Sequence, residues 1–202
     1  ADISVDLAGI GKVTFDQAGG TGLDRLDDKM PTAWEESYDA GLGSGIVTAT
    51  GAGGGTDIEL AISSDMLPDG GSAYISYAPK ADGTTVNDKA VGGITTDGVN
   101  HGWDVVVEHS ALMDGVNLFA GYSHIDQSDS SSNDDRSSWV AGGTYAIGSF
   151  TIGYQHYNDS MGRTAIDAYE NDAFGISFSV NDDLSLSYGV HQSTQENGQE
   201  GS

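Results

Sequence analysis

The chain has 202 residues and a formal charge of -24, from 31 acids against 7 bases, with 30 glycines, 3 prolines and no cysteine. That balance excludes a nucleic-acid partner held through lysine and arginine, and the lack of cysteine excludes disulfides, thiolate metal sites and a cysteine nucleophile. No segment approaches the run of about 18 apolar residues that a spanning helix demands, so a membrane could be crossed here only by strands.

The first predicted hairpin places Ile3, Val5 and Leu7 on one face, turns near 8–11, and returns Val13 and Phe15 on the matching parity, with Lys12, Thr14 and Asp16 opposite. Residues 17 to about 55 break the rhythm with a segment far longer than a hairpin loop, which marks it as functional or disordered. A second hairpin runs through Ile58, Leu60 and Ile62, turns at Leu67–Gly71 and returns Ala73, Ile75 and Tyr77; a polar loop from Pro79 to about His101 follows. The third pairs Trp103, Val105 and Val107 with Val116, Leu118, Ala120 and Tyr122, and is followed by a polar loop over 126–137. The fourth, Ser138–Tyr157, sets Trp139, Ala141, Gly143 and Tyr145 against Phe150, Ile152 and Tyr154, with a loop over 158–168. The fifth carries Phe174, Ile176, Phe178 and Val180 out and Leu184, Leu186, Tyr188 and Val190 back, and the polar tail from His191 reads as the start of a surface loop.

This gives about ten strands, with short turns alternating with long polar loops and one parity steadily apolar while the other is polar or glycine. The pattern predicts an all-β fold, an antiparallel transmembrane β-barrel, because a tilted strand of roughly 9 to 11 residues crosses a bilayer with one face in lipid and the other in water. Two alternatives share the alternation: a secreted, acidic, soluble β-sandwich, and a small ten-stranded outer-membrane barrel of protease or adhesin type. The protease version would draw on Asp104, Glu108, His109 and His124, but GxSxG, P-loop and HExxH signatures are missing, and the chain is read as a non-enzyme.

Val5, Leu7, Gly9, Gly11, Val13 and Phe15, followed by the long segment with LDRLDDKMPTAWEE, resemble the general diffusion porins of Gram-negative bacteria, notably the alphaproteobacterial ones. The later hairpins Ser138–Tyr157 and Phe174–Gly189 are similar to porin strands too. The resemblance implies a sixteen-stranded outer-membrane barrel, a homotrimer embedded in outer-membrane lipid, passing ions and small hydrophilic solutes by passive diffusion, while the charge of -24 makes cations the expected visitors. It also implies that residues 1–202 form a single barrel segment, an internal fragment lacking the first four strands and the last, and that about 18–55 is a constriction loop folded into the lumen.

That loop carries Asp24, Asp27, Asp28, Glu35, Glu36 and Asp39 against Arg25 and Lys29. Inside a lumen with low-dielectric walls such carboxylates concentrate cations, while the two bases would tie the loop to itself or to the wall. Met30, Pro31 and Trp34 predict that it packs against something. Its carboxylates are of the kind that bind Ca²⁺, although no EF-hand spacing is present, and no other cofactor is expected. Lys12 is expected to face the acidic loop from the wall. Trp103, Trp139, Tyr77, Tyr122, Tyr145 and Tyr154, together with Tyr157 and Tyr188, are expected at the membrane interfaces. The five histidines show no metal-ligand spacing.

Overall fold

The computed structural model describes residues 2–16, 21–32, 46–50, 57–81, 85–86, 99–127, 134–163, 166–195 and 199–201. Its strands are β1 (Ile3–Leu7), β2 (Gly11–Asp16), β3 (Ile46–Val47), β4 (Asp57–Ile62), β5 (Gly71–Ala78), β6 (Thr85–Val86), β7 (Val99–His109), β8 (Val116–Gln127), β9 (Arg136–Ile147), β10 (Phe150–Arg163), β11 (Ile166–Asn181), β12 (Leu184–Gln195) and β13 (Gln199–Gly201). Eleven of them form one antiparallel sheet in the order β1-β2-β4-β5-β7-β8-β9-β10-β11-β12-β13; β3 and β6 pair separately. Each strand in the large sheet pairs with its sequence neighbours there, the simplest meander. Among the described residues no ladder joins β1 to β13.

All ten anticipated strands form, and three expectations at the long-loop end are corrected. The loop expected over 158–168 is mostly strand, because β10 and β11 stay paired from Phe150–Phe178 up to Arg163–Ile166. The tail after Val190 is not a loop either: β12 continues to Gln195 and pairs with β13. The loop expected to last until His101 gives way to β7 at Val99, with β6 inside it. In all three the sequence carries no sustained period-two apolar pattern, so alternation could not reveal a strand held by its backbone ladder.

The two faces of the sheet differ as the alternation requires. Ile75, Trp103, Val107, Leu118, Trp139, Ile152, Phe174 and Leu186 stand exposed on one face. On the other, cross-strand rows run almost level from strand to strand. One is Tyr74, Val106, Gly121, Val140, Tyr157, Asn171 and Ser193; beside it, toward the long connections, runs Glu59, Ser76, Asp104, Ser123, Ser138 and Asp159. This second face is covered, and its apolar cluster of Val106, Phe119, Val140, Tyr157 and Ala173 is completed by Leu23, Leu26, Met30 and Ile46 from the long segment. The sheet thus buries its polar-and-glycine face under its own insertion and leaves its apolar face bare, the reverse of a soluble one-layer sheet.

Candidate functional site: a segment laid across the polar face

The insertion contains a 3-10 helix, Gly22–Lys29. With three residues per turn, positions i and i+3 eclipse, so Leu23 and Leu26 project together, and both are fully buried. Burial of each leucine is worth about 1.5–3 kcal/mol, the main apolar hold of this piece on the wall. Asp28 has non-helical backbone angles (φ -91°, ψ 34°), and Met30 is extended; from there the chain leaves the helix toward Pro31 and Thr32.

The segment crosses the sheet diagonally. It enters at Gly22, whose φ of +58° is a left-handed conformation and whose missing Cβ would lie 2.0 Å from Asp104 Oδ2. Leu23 and Leu26 then sit over Gly121 on β8, their Cδ1 atoms 3.0 and 3.2 Å from where a Cβ would be. At the far side Pro31 lies against Gly153 and Gly175, and Thr32 against Gly175 and Gly189. The glycines of β8, β10, β11 and β12 on this parity therefore form a groove that a side chain at any of them would partly fill.

Two ion pairs tie the segment to the wall. Arg25 Nη2 donates to Glu59 of β4 at 2.6 Å (Oε1) and 2.5 Å (Oε2), and its guanidinium carbon lies 3.7 Å above the Tyr74 ring centre. The same carboxylate accepts from Gly22 N–H at 3.1 Å and from Ser76 Oγ at 2.8 Å. Four residues downstream Lys29 Nζ lies 2.6 Å from Glu108 Oε1 of β7.

The returning arm is fastened by one carboxylate. Asp104, wholly buried on β7, accepts from Thr48 Oγ1 (2.6 Å), Ala49 N–H (3.0 Å), Thr50 N–H (3.0 Å) and Thr50 Oγ1 (2.8 Å). Gly102 beside it admits the Ala49 and Ala81 methyls. Deeper toward the short turns, a cleft of about 270 Å³ is lined by Asp28, Lys29, Ser72, Glu108, Asn117 and Thr144. Farther along the wall Arg136 and Asp159 form a buried, two-point ion pair.

Of the residues singled out from sequence, Asp24, Arg25, Asp27, Asp28 and Lys29 lie together in the crossing segment, Asp27 buried and Asp28 exposed. Both bases pair with carboxylates of the wall, and Arg25 Nε also donates to Gly22 O within the segment at 3.3 Å. Lys12 stands opposite Asp6 and Ala61, on the parity of Thr14, which faces Glu59. It is exposed and makes no ion pair among the described residues. Trp34, Glu35, Glu36 and Asp39, like the ends of the 18–55 loop, fall outside the described residues. Among the described residues no group of three or more His, Asp or Glu side chains could hold a metal ion, and the Ca²⁺ expectation finds no cluster there.

Six of the aromatics, Tyr77, Trp103, Tyr122, Trp139, Tyr145 and Tyr154, are exposed on the apolar face, as is Tyr188. Tyr157 is a correction: its odd position on β10 puts it on the covered face, fully buried. Asp104 and Glu108 lie on the covered face, each engaged as above, while His109 and His124 have the opposite parity, so these four do not converge. Sequence reading missed Glu59, Arg136, Asp159 and the groove glycines. The available signal was a charge, or a glycine, on the polar parity of a strand whose neighbours there are serine and threonine.

No protein-family model matches the chain, and a search of curated proteins gives no match. Among solved structures the chain is similar to a refined porin structure, with a TM-score of 0.57 and 15% identity over 96% of this chain and 65% of that one. The likeness is one of fold: the chain has a porin-like antiparallel β-sheet and spans 65% of that porin's length.

Proposed function

We propose that the protein is an outer-membrane diffusion channel: a β-barrel whose apolar face meets lipid and whose covered face lines a water-filled pore for ions and small hydrophilic solutes. The observation that carries this reading is the inversion of the two faces, apolar side chains bare on one and an inserted segment laid across polar and glycine residues on the other. A channel wall needs both, since lipid replaces the core on the outside and the insertion narrows the lumen inside. Transport is passive, and no catalytic step belongs to it.

In this reading the loop over about 18–55 is the constriction, and Gly22–Thr32 is the part of it laid across the wall. The loop's carboxylates Asp24, Asp27, Asp28, Glu35, Glu36 and Asp39 outnumber Arg25 and Lys29, and that balance of charge favours cations. The full barrel has sixteen strands of the alphaproteobacterial type and assembles as a homotrimer, which the resemblance of the first hairpin and long loop supports. The test is a reversal potential under a KCl gradient in planar bilayers. Changing Asp27, Asp28, Glu35 and Glu36 together to Asn or Gln lowers the cation-to-anion permeability ratio; an unchanged reversal potential defeats the assignment of this segment as the selectivity element.

A further inference from the structure

The exposed face repeats one side-chain arrangement three times at the end bearing the long connections. His101 Nδ1 lies 3.6 Å from Asp126, His124 Nε2 lies 3.5 Å from Asp135, and His156 Nδ1 lies 2.9 Å from Asp172. Each imidazole stands beside an aromatic ring: Tyr77 at 6.2 Å from His101, Trp103 at 5.7 Å from His124 and Trp139 at 5.0 Å from His156. All six polar side chains are accessible, with between 28% and 49% of their surface exposed. They sit where the apolar run of each strand gives way to polar residues.

We propose that these are three binding positions for the sugar headgroups of glycolipids, forming a belt around the outside of the wall. The inference rests on the membrane reading above. A sugar hydroxyl donates and accepts at once, which suits a carboxylate that only accepts set beside an imidazole that can donate from its second ring nitrogen. The adjacent aromatic is exposed, and its ring suits the C–H face of a pyranose at the level where such rings prefer to lie. Charge selects against the other headgroups. No lysine or arginine pairs with Asp126, Asp135 or Asp172 among the described residues, so a phosphate at any one position would meet a carboxylate with no permanent cation beside it. A bare metal ion would find only two protein ligands at each position, and no described group offers three. Each carboxylate already accepts one further protein donor, Asp126 from Asn100 Nδ2, Asp135 from the Gln127 N–H and Asp172 from the Tyr154 hydroxyl, and an uncharged sugar hydroxyl adds a donor at the lone pairs that remain without either difficulty.

The experiment takes the whole protein as extracted from its native membrane and places it in phosphatidylcholine nanodiscs containing equal fractions of digalactosyl diacylglycerol and phosphatidylglycerol. Native mass spectrometry after release then counts the lipids retained. The belt predicts that the galactolipid is retained several-fold over both phospholipids and that the combined change Asp126→Ala, Asp135→Ala and Asp172→Ala removes the preference. Equal retention of all three lipids by the unaltered protein overturns the proposal, and so does preferential retention of phosphatidylglycerol, which would mean phosphate recognition. The comparison within the unaltered protein does not depend on the variant folding. Conductance in the same lipids separates the two failures: a conducting protein without lipid preference loses the belt alone, whereas one that does not insert loses the channel reading as well.

Discussion

Arg25 spans both oxygens of Glu59 through a single guanidinium nitrogen while its flat face lies on Tyr74. The carboxylate is thereby completed from three directions, by Arg25, by the Gly22 amide and by the Ser76 hydroxyl. Removing the cation leaves a largely buried carboxylate with two neutral donors, a loss of about 1.5–3 kcal/mol for charge-assisted bonds of this kind. Arg25→Ala is therefore expected to loosen the helix at its entry, raising amide hydrogen exchange across Gly22–Lys29 and adding open-channel current noise. Arg25→Lys keeps the charge but loses the stacked plane, so it falls between. Unchanged exchange in the alanine variant would show that Leu23, Leu26, Met30 and the Lys29–Glu108 pair hold the segment without Arg25.

Under the proposed channel function the groove glycines bear on pore size rather than stability. A Cβ at Gly153 would lie 2.5 Å from Pro31 Cδ, and one at Gly175 would lie 2.9 Å from Thr32 Cγ2 and 3.0 Å from Pro31 Cδ. Proline cannot swing aside as a flexible side chain can, so the segment must lift. Gly153→Val is expected to keep the sheet, by circular dichroism, while changing single-channel conductance. Gly142→Ala is the contrast: its Cβ would lie 2.6 Å from the Tyr154 carbonyl oxygen and 2.7 Å from the Phe119 ring. That clash sits in the ladder itself, so this variant should lose about 1–3 kcal/mol of stability, the usual cost of overpacking.

Much of the wall was legible because β-strands broadcast their environment at period two, and Trp103, Val105 and Val107 or Phe174, Ile176 and Phe178 announce a bare apolar face in sequence. The crossing segment was legible only as an interruption. Its helix depends on Leu23 and Leu26 finding Gly121 on a strand about a hundred residues away in sequence, a relation that no local window contains. Glu59 and Asp104 were illegible for the same reason, since a carboxylate on the polar parity looks solvated until its partners arrive from elsewhere in the chain. The over-long β10 and β11 escaped because 158–168 carries no sustained period-two apolar pattern in sequence, and the ladder that holds them is a backbone property.

Asp104 should be the most sensitive single position in the returning arm. Its loss by Asp104→Ala strands the Ala49 and Thr50 amides in a buried site, at about 1–3 kcal/mol for each unsatisfied group. Asp104→Asn keeps an acceptor for part of the set and should cost less. Hydrogen exchange over 46–50 reports the result directly: protection is expected to fall sharply in the alanine variant and partly in the asparagine one. Equal protection in all three proteins would mean that the arm is held by the Ala49, Ala81 and Ile125 contacts instead.

Arg136 and Asp159 offer a test of what a buried pair contributes to such a wall. Their side chains are 3% and 4% exposed, with Arg136 Nε 2.8 Å from Oδ1 and Nη2 2.5 Å from Oδ2. Taking two charges out of water costs nearly as much as their attraction returns, yet removing one of them abandons the other in a dry site, at about 3–5 kcal/mol. Arg136→Met and Asp159→Leu are each expected to lower the unfolding temperature in detergent substantially, whereas the double variant recovers most of the loss because no charge remains unpaired. The double-mutant cycle is the decisive reading. Strongly non-additive losses identify the pair as one unit bracing β9 against β10, and additive ones would mean that each side chain is held by separate neighbours.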